Sequence, residues 1–124
     1  MKFLALLAVL TASSAQSGDI RAPIYGLWGT DAQCQAALIS PTGTRRAVPF
    51  ELRPGWLRQG DMWCRLSWFP TTPRATGLFA PARALCGEDS ARGYRLDIVL
   101  SDETIMLIWD ESLTNGPLHR CPNM

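Results

Sequence analysis

His119 is the one histidine in a chain of 124 residues, and it sits directly before Arg120 and Cys121. Histidine is the side chain whose ordinary pKa lets it take and give protons near neutral pH. A Ser-His-Asp triad would need it, yet the sequence has no Gly-x-Ser-x-Gly elbow to present a nucleophilic serine. No catalytic residue is therefore assigned. The acidic pairs Glu88-Asp89, Asp102-Glu103 and Asp110-Glu111 could hold calcium through hard oxygen ligands. None carries the calcium-loop pattern, and turn charges account for them equally well. Two carboxylates could also serve glycoside hydrolysis, but a domain this small is not expected to form a substrate cleft. Neither a metal nor a cofactor is expected.

Cys34, Cys64, Cys86 and Cys121 are the other residues with chemistry to offer. Zinc would favour closely spaced pairs, and these gaps are long and irregular. No Cys-x-x-Cys pair suggests a redox catalyst. An even number of cysteines in a small exported chain reads as a disulfide framework. Four cysteines allow three connectivities. The strand order described below favours Cys64–Cys86, between neighbouring strands, and Cys34–Cys121, tying the turn after the first strand to the C-terminus.

Export is read from the first residues. Lys2 precedes the uncharged apolar run Phe3 to Leu10, and Ser13-Ser14-Ala15 has the small-x-Ala form cut by signal peptidase. The run is too short for a bilayer span, which needs about 20 residues. No cysteine lies near the cleavage position to carry a lipid anchor. Residues 1–15 are thus expected to be a signal peptide, with 16–124 a single soluble domain in the periplasm or outside the cell.

Lys2 is the only lysine and leaves with the leader. Eleven arginines then face eleven acids, so the mature net charge is zero. That balance argues against a nucleic-acid binder, which usually carries a basic excess. The lack of lysine also excludes Schiff-base chemistry. The distribution is uneven, however. Nine arginines and four acids lie between Arg45 and Arg95, while Asp97 to Glu111 holds five acids and no base. Strand faces that pair across a sheet account for this, and so does a bipolar surface that steers a charged partner.

The elements that must position these residues are mostly strands. Apolar residues recur with period two, and Pro and Gly punctuate the chain throughout. Strands are expected at Ile24 to Gly29, Ala47 to Arg53, Met62 to Phe69, Gly77 to Cys86, Tyr94 to Leu100, Ile105 to Trp109 and Leu118 to Cys121. Pro81 should confine the middle of its strand to an edge or a bulge. Pro70 to Pro73 reads as a loop, Gly87 to Gly93 as a polar turn, and Asn115-Gly116-Pro117 as a turn. Thr30 with Gln33 forms a capping box for a short helical turn through about Leu38, which holds Cys34. The fold class is all-β: a small antiparallel barrel or sandwich of about seven strands, one helical turn and two disulfides.

Five tryptophans are many for this length. Trp28 and Trp109 are expected in the core. Trp63 and Trp68 alternate onto opposite faces, so at least one should meet solvent. Trp56 follows Pro54-Gly55 in a turn and lies two residues from Arg58. An exposed Trp beside Arg is the composition of interface anchors, so Trp56 and Arg58 are the candidate partner contacts.

With the strands placed, a wider resemblance emerges. Gly26-Leu27-Trp28 opens the first strand, Cys34 follows six residues later, and then come Cys64, Cys86-Gly87-Glu88 and Arg120-Cys121. This layout resembles a group of small, uncharacterised exported proteins of alphaproteobacteria with the pattern Trp…Cys…Cys…Cys-x-Glu…Arg-Cys. The Pro-rich loop Pro70-Thr71-Thr72-Pro73 departs from that pattern, as does Asp89, where glycine is more typical. More loosely, the Gly-x-Trp opening resembles lipocalin-like barrels and the small barrels of bacterial protease inhibitors. That resemblance implies a Trp28 indole packed under Arg120 near the chain end. At about 100 residues, side chains should mostly fill such a barrel, leaving no large ligand cavity.

The expected function is an exported, non-catalytic binding module for a periplasmic or secreted protein, as a hydrolase inhibitor or an adaptor. The alternatives are a structural envelope component without a discrete ligand and, less well supported, a small hydrolase. Neither nucleic acid nor membrane is an expected partner after signal removal.

Overall fold

The computed structural model describes residues 19–39, 48–87 and 92–122. The signal peptide reading and the Glu88-Asp89 pair lie outside them. Among the described residues, nine strands and one helix follow a 3-10 turn at Ala22–Ile24: β1 (Gly26–Gly29), α1 (Asp31–Ile39), β2 (Phe50–Arg53), β3 (Trp56–Gln59), β4 (Met62–Trp68), β5 (Thr72–Arg74), β6 (Gly77–Cys86), β7 (Gly93–Ser101), β8 (Thr104–Trp109) and β9 (Leu113–Arg120). All pairings are antiparallel. The order runs β4-β3-β2-β1-β9-β8-β7-β6, and a further β4–β6 pairing closes eight strands into a barrel. β5 is a short extra strand on the outer margin of β6. No helix among the described residues is long and apolar enough to cross a membrane.

The all-β reading, the helical turn and both disulfides hold. The capping box forms in both directions. Thr30 N–H donates to Gln33 Oε1 at 2.8 Å, and Gln33 N–H donates to Thr30 Oγ1 at 3.2 Å. Each satisfies one of the donors that a helix start leaves free.

Four local expectations are corrected. Trp56 opens β3 instead of lying in a turn, because Pro54-Gly55 alone completes the hairpin between Arg53 and Trp56. Ile24 belongs to the 3-10 turn and not to the first strand. Thr72–Arg74 pairs with β6 where a loop was expected. The last strand starts at Leu113 and passes through Asn115-Gly116-Pro117, with a register shift opposite Ile105 to Leu107 absorbing the irregular segment. Pro81 sits within a strand paired on both sides. Its carbonyl accepts from Phe69 N–H at 3.0 Å, just past the end of β4, so the proline forgoes only the reciprocal bond at the margin of the β4–β6 ladder.

Alternation sends one face of every strand inward. Trp28, Phe50, Leu52, Leu57, Leu66, Leu96, Ile98, Ile105 and Leu107 are buried in one core. β6 contributes only Ala80, Ala82 and Ala84 at its central inward positions. Small side chains on this strand offset the volume of the indole and phenyl rings, so a narrow barrel packs without a central void. On β8 the outward Met106 and Ile108 are half-buried, short of the full two-sided cover its apolar sequence suggested.

The chain ends meet at the β1–β9 seam. Trp28, only 2% exposed, lies opposite Arg120 in register. The Arg120 guanidinium stacks 4.3 Å from the indole centroid. Its Nη1 donates to the Tyr25 carbonyl at 2.8 Å and its Nη2 to the Pro23 carbonyl at 2.6 Å. The Trp28 Nε1–H donates to the Ile24 carbonyl at 2.9 Å, seating the fully buried Ile24 as the plug of this end. Gly26 has φ +134°, and a Cβ there would stand 2.6 Å from Arg120 Nη1. The Gly-x-Trp spacing and the arginine are one device.

Each seam also carries a bridge. Cys64 and Cys86 are direct cross-strand partners at the β4–β6 closure. Cys34 of α1 joins Cys121 just past β9.

Three outcomes follow from this architecture. In the chain-entropy model, replacing both Cys34 and Cys121 by Ala costs about 4–5 kcal/mol. Replacing Cys64 and Cys86 costs about 3–3.5 kcal/mol, because the closed loop is shorter; urea unfolding measures both. Arg120→Ala costs about 2–3 kcal/mol through the lost stacking and two unpaired carbonyls. The third concerns the plugged end, where the Tyr25 hydroxyl donates to an Asp19 carboxylate oxygen. Burial, then this bond, raises the Tyr25 pKa above its ordinary value, and the bond to Tyr25, then the Arg21 N–H, lowers that of Asp19. The tie is therefore fully formed between the ordinary carboxylate and phenol ranges. It weakens as pH falls through the lowered Asp19 pKa or rises through the raised Tyr25 pKa. Spectrophotometric titration should show one late-ionising tyrosine, moved earlier but not fully restored by Asp19→Asn.

Candidate functional site

Among the described residues, this protein can meet another molecule on the outward faces of the strands, at the open mouth opposite the Ile24 plug, and at a cavity beside Pro23, Trp28 and His119. The outward face of β2, β3, β4 and β6 is built by alternation and by register. Its residues are Glu51 and Arg53 on β2, Trp56 and Arg58 on β3, Trp63, Arg65 and Ser67 on β4, and Arg83 and Leu85 on β6. Trp56 lies opposite Arg65, and Arg58 opposite Trp63. Tryptophan and arginine therefore alternate along and across two strands.

The expected contacts Trp56 and Arg58 are brought together on this face. The Arg58 guanidinium lies 5.4 Å from the Trp56 ring centroid and bonds Glu51 Oε1 at 2.9 Å. Arg53 takes the other Glu51 oxygen, with Nη2 at 2.9 Å and Nε at 3.0 Å. One carboxylate thus serves two arginines and fixes their forks. Arg58 remains 53% exposed at its side chain. Trp63 is 41% exposed and is the larger apolar surface, though Trp56 was singled out from sequence. The period-two alternation that put Trp63 and Trp68 on opposite faces was the signal that could have found it. Arg65 follows Trp63 by two residues on the same face, whereas Arg83 is placed beside them only by the β4–β6 register.

Trp68 turns inward at the plugged end. Its Nε1–H donates to the Pro54 carbonyl at 2.6 Å, and the Arg21 guanidinium lies 4.7 Å from its ring centroid. Further round the barrel, Arg83 stands directly opposite Arg95 on β7. Arg95 is held by Asp97 at 2.8 Å, and that carboxylate raises the Arg95 pKa above its ordinary value.

The mouth is a cavity of about 420 Å³. Phe50, Met62, Tyr94, Trp109 and Leu113 form its apolar wall. Tyr94 and Trp109 meet edge to face, with centroids 6.3 Å apart. Its amides serve the fold. Trp109 Nε1–H donates to Asn115 Oδ1 at 2.8 Å, and Gln59 Nε2–H donates to the Val48 carbonyl at 3.1 Å.

Of the residues considered for catalysis or metal binding, His119, Asp102 and Glu103 line one cavity of about 640 Å³ together with Pro23, Trp28 and Arg120, whereas Asp110 lines the mouth. His119 Nε2 lies 2.9 Å from Asp31 Oδ1 at the start of α1. Asp102 and Glu103 occupy the β7–β8 turn, Asp110 and Glu111 the β8–β9 turn, and Asp102, Asp110 and Glu111 have positive φ. Aspartate tolerates that region well, so turn geometry accounts for the aspartates. Asp110 Oδ1 also accepts from the Arg95 N–H at 2.8 Å. Among the described residues, no group of three or more His, Cys, Asp or Glu side chains is placed to hold a metal ion. Trp28, Arg120 and the four cysteines are structural, as set out above.

Compared with known proteins, the chain matches no protein family, no curated protein and no solved structure.

Proposed function

We propose that the chain is an exported, non-catalytic binding module that engages a protein partner through the outward face of β2, β3, β4 and β6. The observation that carries this reading is the exposed alternation of Trp56, Arg58, Trp63 and Arg65. Tryptophan and arginine are the residues most enriched among interface anchors. A half-exposed indole such as Trp63 contributes little to folding. In contact with a partner it supplies a large rigid surface at small entropic cost.

The setting supports the same reading. Two disulfides suit an oxidising, extracellular compartment. A short meander stapled at both seams is a rigid scaffold, and rigidity lowers the entropy lost on association. Inhibition of a secreted hydrolase and adaptor function are the roles such a module suits. The resemblance to small exported proteins and to inhibitor-like barrels belongs to this proposal, and the Trp28–Arg120 stack supports it. A second reading, a small apolar ligand in the mouth, is favoured by the aromatic wall of Tyr94 and Trp109 alone.

Native mass spectrometry of the oxidised protein, purified gently from its own host, tests the proposal. A bound protein should accompany the wild type and be lost from Trp56→Ala/Trp63→Ala. Trp63→Ala by itself should leave the native far-ultraviolet circular dichroism spectrum in place, which separates contact from folding. A partner retained by the double variant overturns the reading. A bound small-molecule mass shifts it to the mouth, and a bare mass shifts it to a structural envelope role.

A further inference from the structure

We infer that the partner surface is acidic, with carboxylates that enter the forks of Arg65 and Arg83 beside an apolar patch that covers Trp63. The inference rests on the reading of this face as the contact surface and names the chemistry it selects.

The first observation is a charge imbalance that the fold does not resolve. β2, β3, β4 and β6 carry Arg53, Arg58, Arg65 and Arg83 outward, and Glu51 is the one acidic residue in these four strands. Glu51 is already shared by Arg53 and Arg58. Among the described residues, no ion pair involves Arg65 or Arg83.

The second observation is placement. Arg65 lies opposite Leu85, two residues from Arg83 on the same face. Such diagonal neighbours stand about 7–8 Å apart. Arg83 also faces Arg95 across the next pairing, with Asp97 committed to Arg95. Like charges directly opposite in a sheet are unfavourable, so packing alone gives no reason for this arrangement. A carboxylate arriving between Arg65 and Arg83 would relieve it, since guanidinium forks match carboxylates in bidentate geometry.

The third observation separates a protein from a simple polyanion. Trp56, Trp63 and Leu85 interleave with the arginines, and the exposed Phe69 lies 5.9 Å from the Arg95 guanidinium. A charged polymer needs only the cations. Apolar area of this kind matches a protein surface in which acids flank aliphatic side chains. Opposite charge would also speed the encounter in a salt-sensitive way.

The test uses the oxidised protein and two immobilised synthetic peptides, one of Glu-Glu-Leu repeats and one of Gln-Gln-Leu repeats. The glutamate peptide should be retained at low salt, and the glutamine peptide should not. Retention should fall roughly tenfold in high salt and by a similar factor in Arg65→Gln/Arg83→Gln. Trp63→Ala should weaken it as well. Both arginines are exposed and have no ion pair among the described residues, so far-ultraviolet circular dichroism should be unchanged.

Equal retention of the two peptides, or silent arginine variants with a damaging Trp63→Ala, overturns the acidic assignment and leaves the face itself as the contact. Insensitivity to all three substitutions overturns both readings. Tighter, arginine-dependent retention on dextran sulfate than on the glutamate peptide assigns the face to an anionic polysaccharide. Salt-sensitive self-association lost in the arginine variants assigns it to a second copy. Either result also overturns the inference.

Discussion

Closing the sheet between its first and last strands is the constraint on which the rest of this structure depends. A meander of neighbouring strands forms from local hairpins, but its closure joins residues near opposite chain ends. Arg120 is the hinge of that closure. It lies across from Trp28, stacks on the indole, and donates to the carbonyls of Tyr25 and Pro23. Those carbonyls belong to the segment that seats Ile24 in the barrel end. One side chain therefore joins the last strand to the first and to the plug. The Cys34–Cys121 bridge sits beside this seam, where the loop closed is longest and the entropic cost of closure is largest. The second closure, between β4 and β6, skips β5 and carries the other bridge.

A closed, filled barrel constrains where function can lie. Its interior is occupied by Trp28, Phe50, Leu52, Leu66, Leu96, Ile98 and Leu107, fitted against the alanine stripe of β6. Recognition is then left to side chains on the convex exterior or around the mouth. The exterior is not uniform. β8 carries half-buried Met106 and Ile108 outward, whereas β3 and β4 carry arginine and tryptophan. The same alternation that builds the core thus builds the outward face of tryptophan and arginine, because each inward residue fixes its neighbours outward.

Much of this was legible in the residues. The inward set Met62, Cys64, Leu66 and Trp68 follows from period two, and the capping box at Thr30 and Gln33 is a local hydrogen-bond pattern. The disulfide pairing followed once neighbouring strands were assigned. Three of the errors share a cause. Trp56, Thr72–Arg74 and Leu113–Pro117 lie near Pro and Gly, which read locally as turns. Each was drawn into a ladder by a partner strand already in place. Tertiary pairing outweighs local propensity where a proline falls at the margin of a ladder and forgoes a single bond, as Pro81 does just past the end of β4. For the contact face, Trp56 and Arg58 were legible as near neighbours in sequence. Trp63 and Arg65 share that two-residue spacing on β4, whereas Arg83 was not legible, because only the β4–β6 register brings it beside them.

The sequence by itself determined the all-β class and the two staples, which rest on short-range periodicity and on cysteine number, whereas the pairing of Trp28 with Arg120 was what the lipocalin-like resemblance implied. The tertiary structure alone decided the eight-strand closure, the absence among the described residues of an ion pair to Arg65 or Arg83, and the assembly of tryptophan and arginine on one face. Register is a relation between strands distant in the chain, and a shift of one residue would turn every one of those side chains to the other side of the sheet.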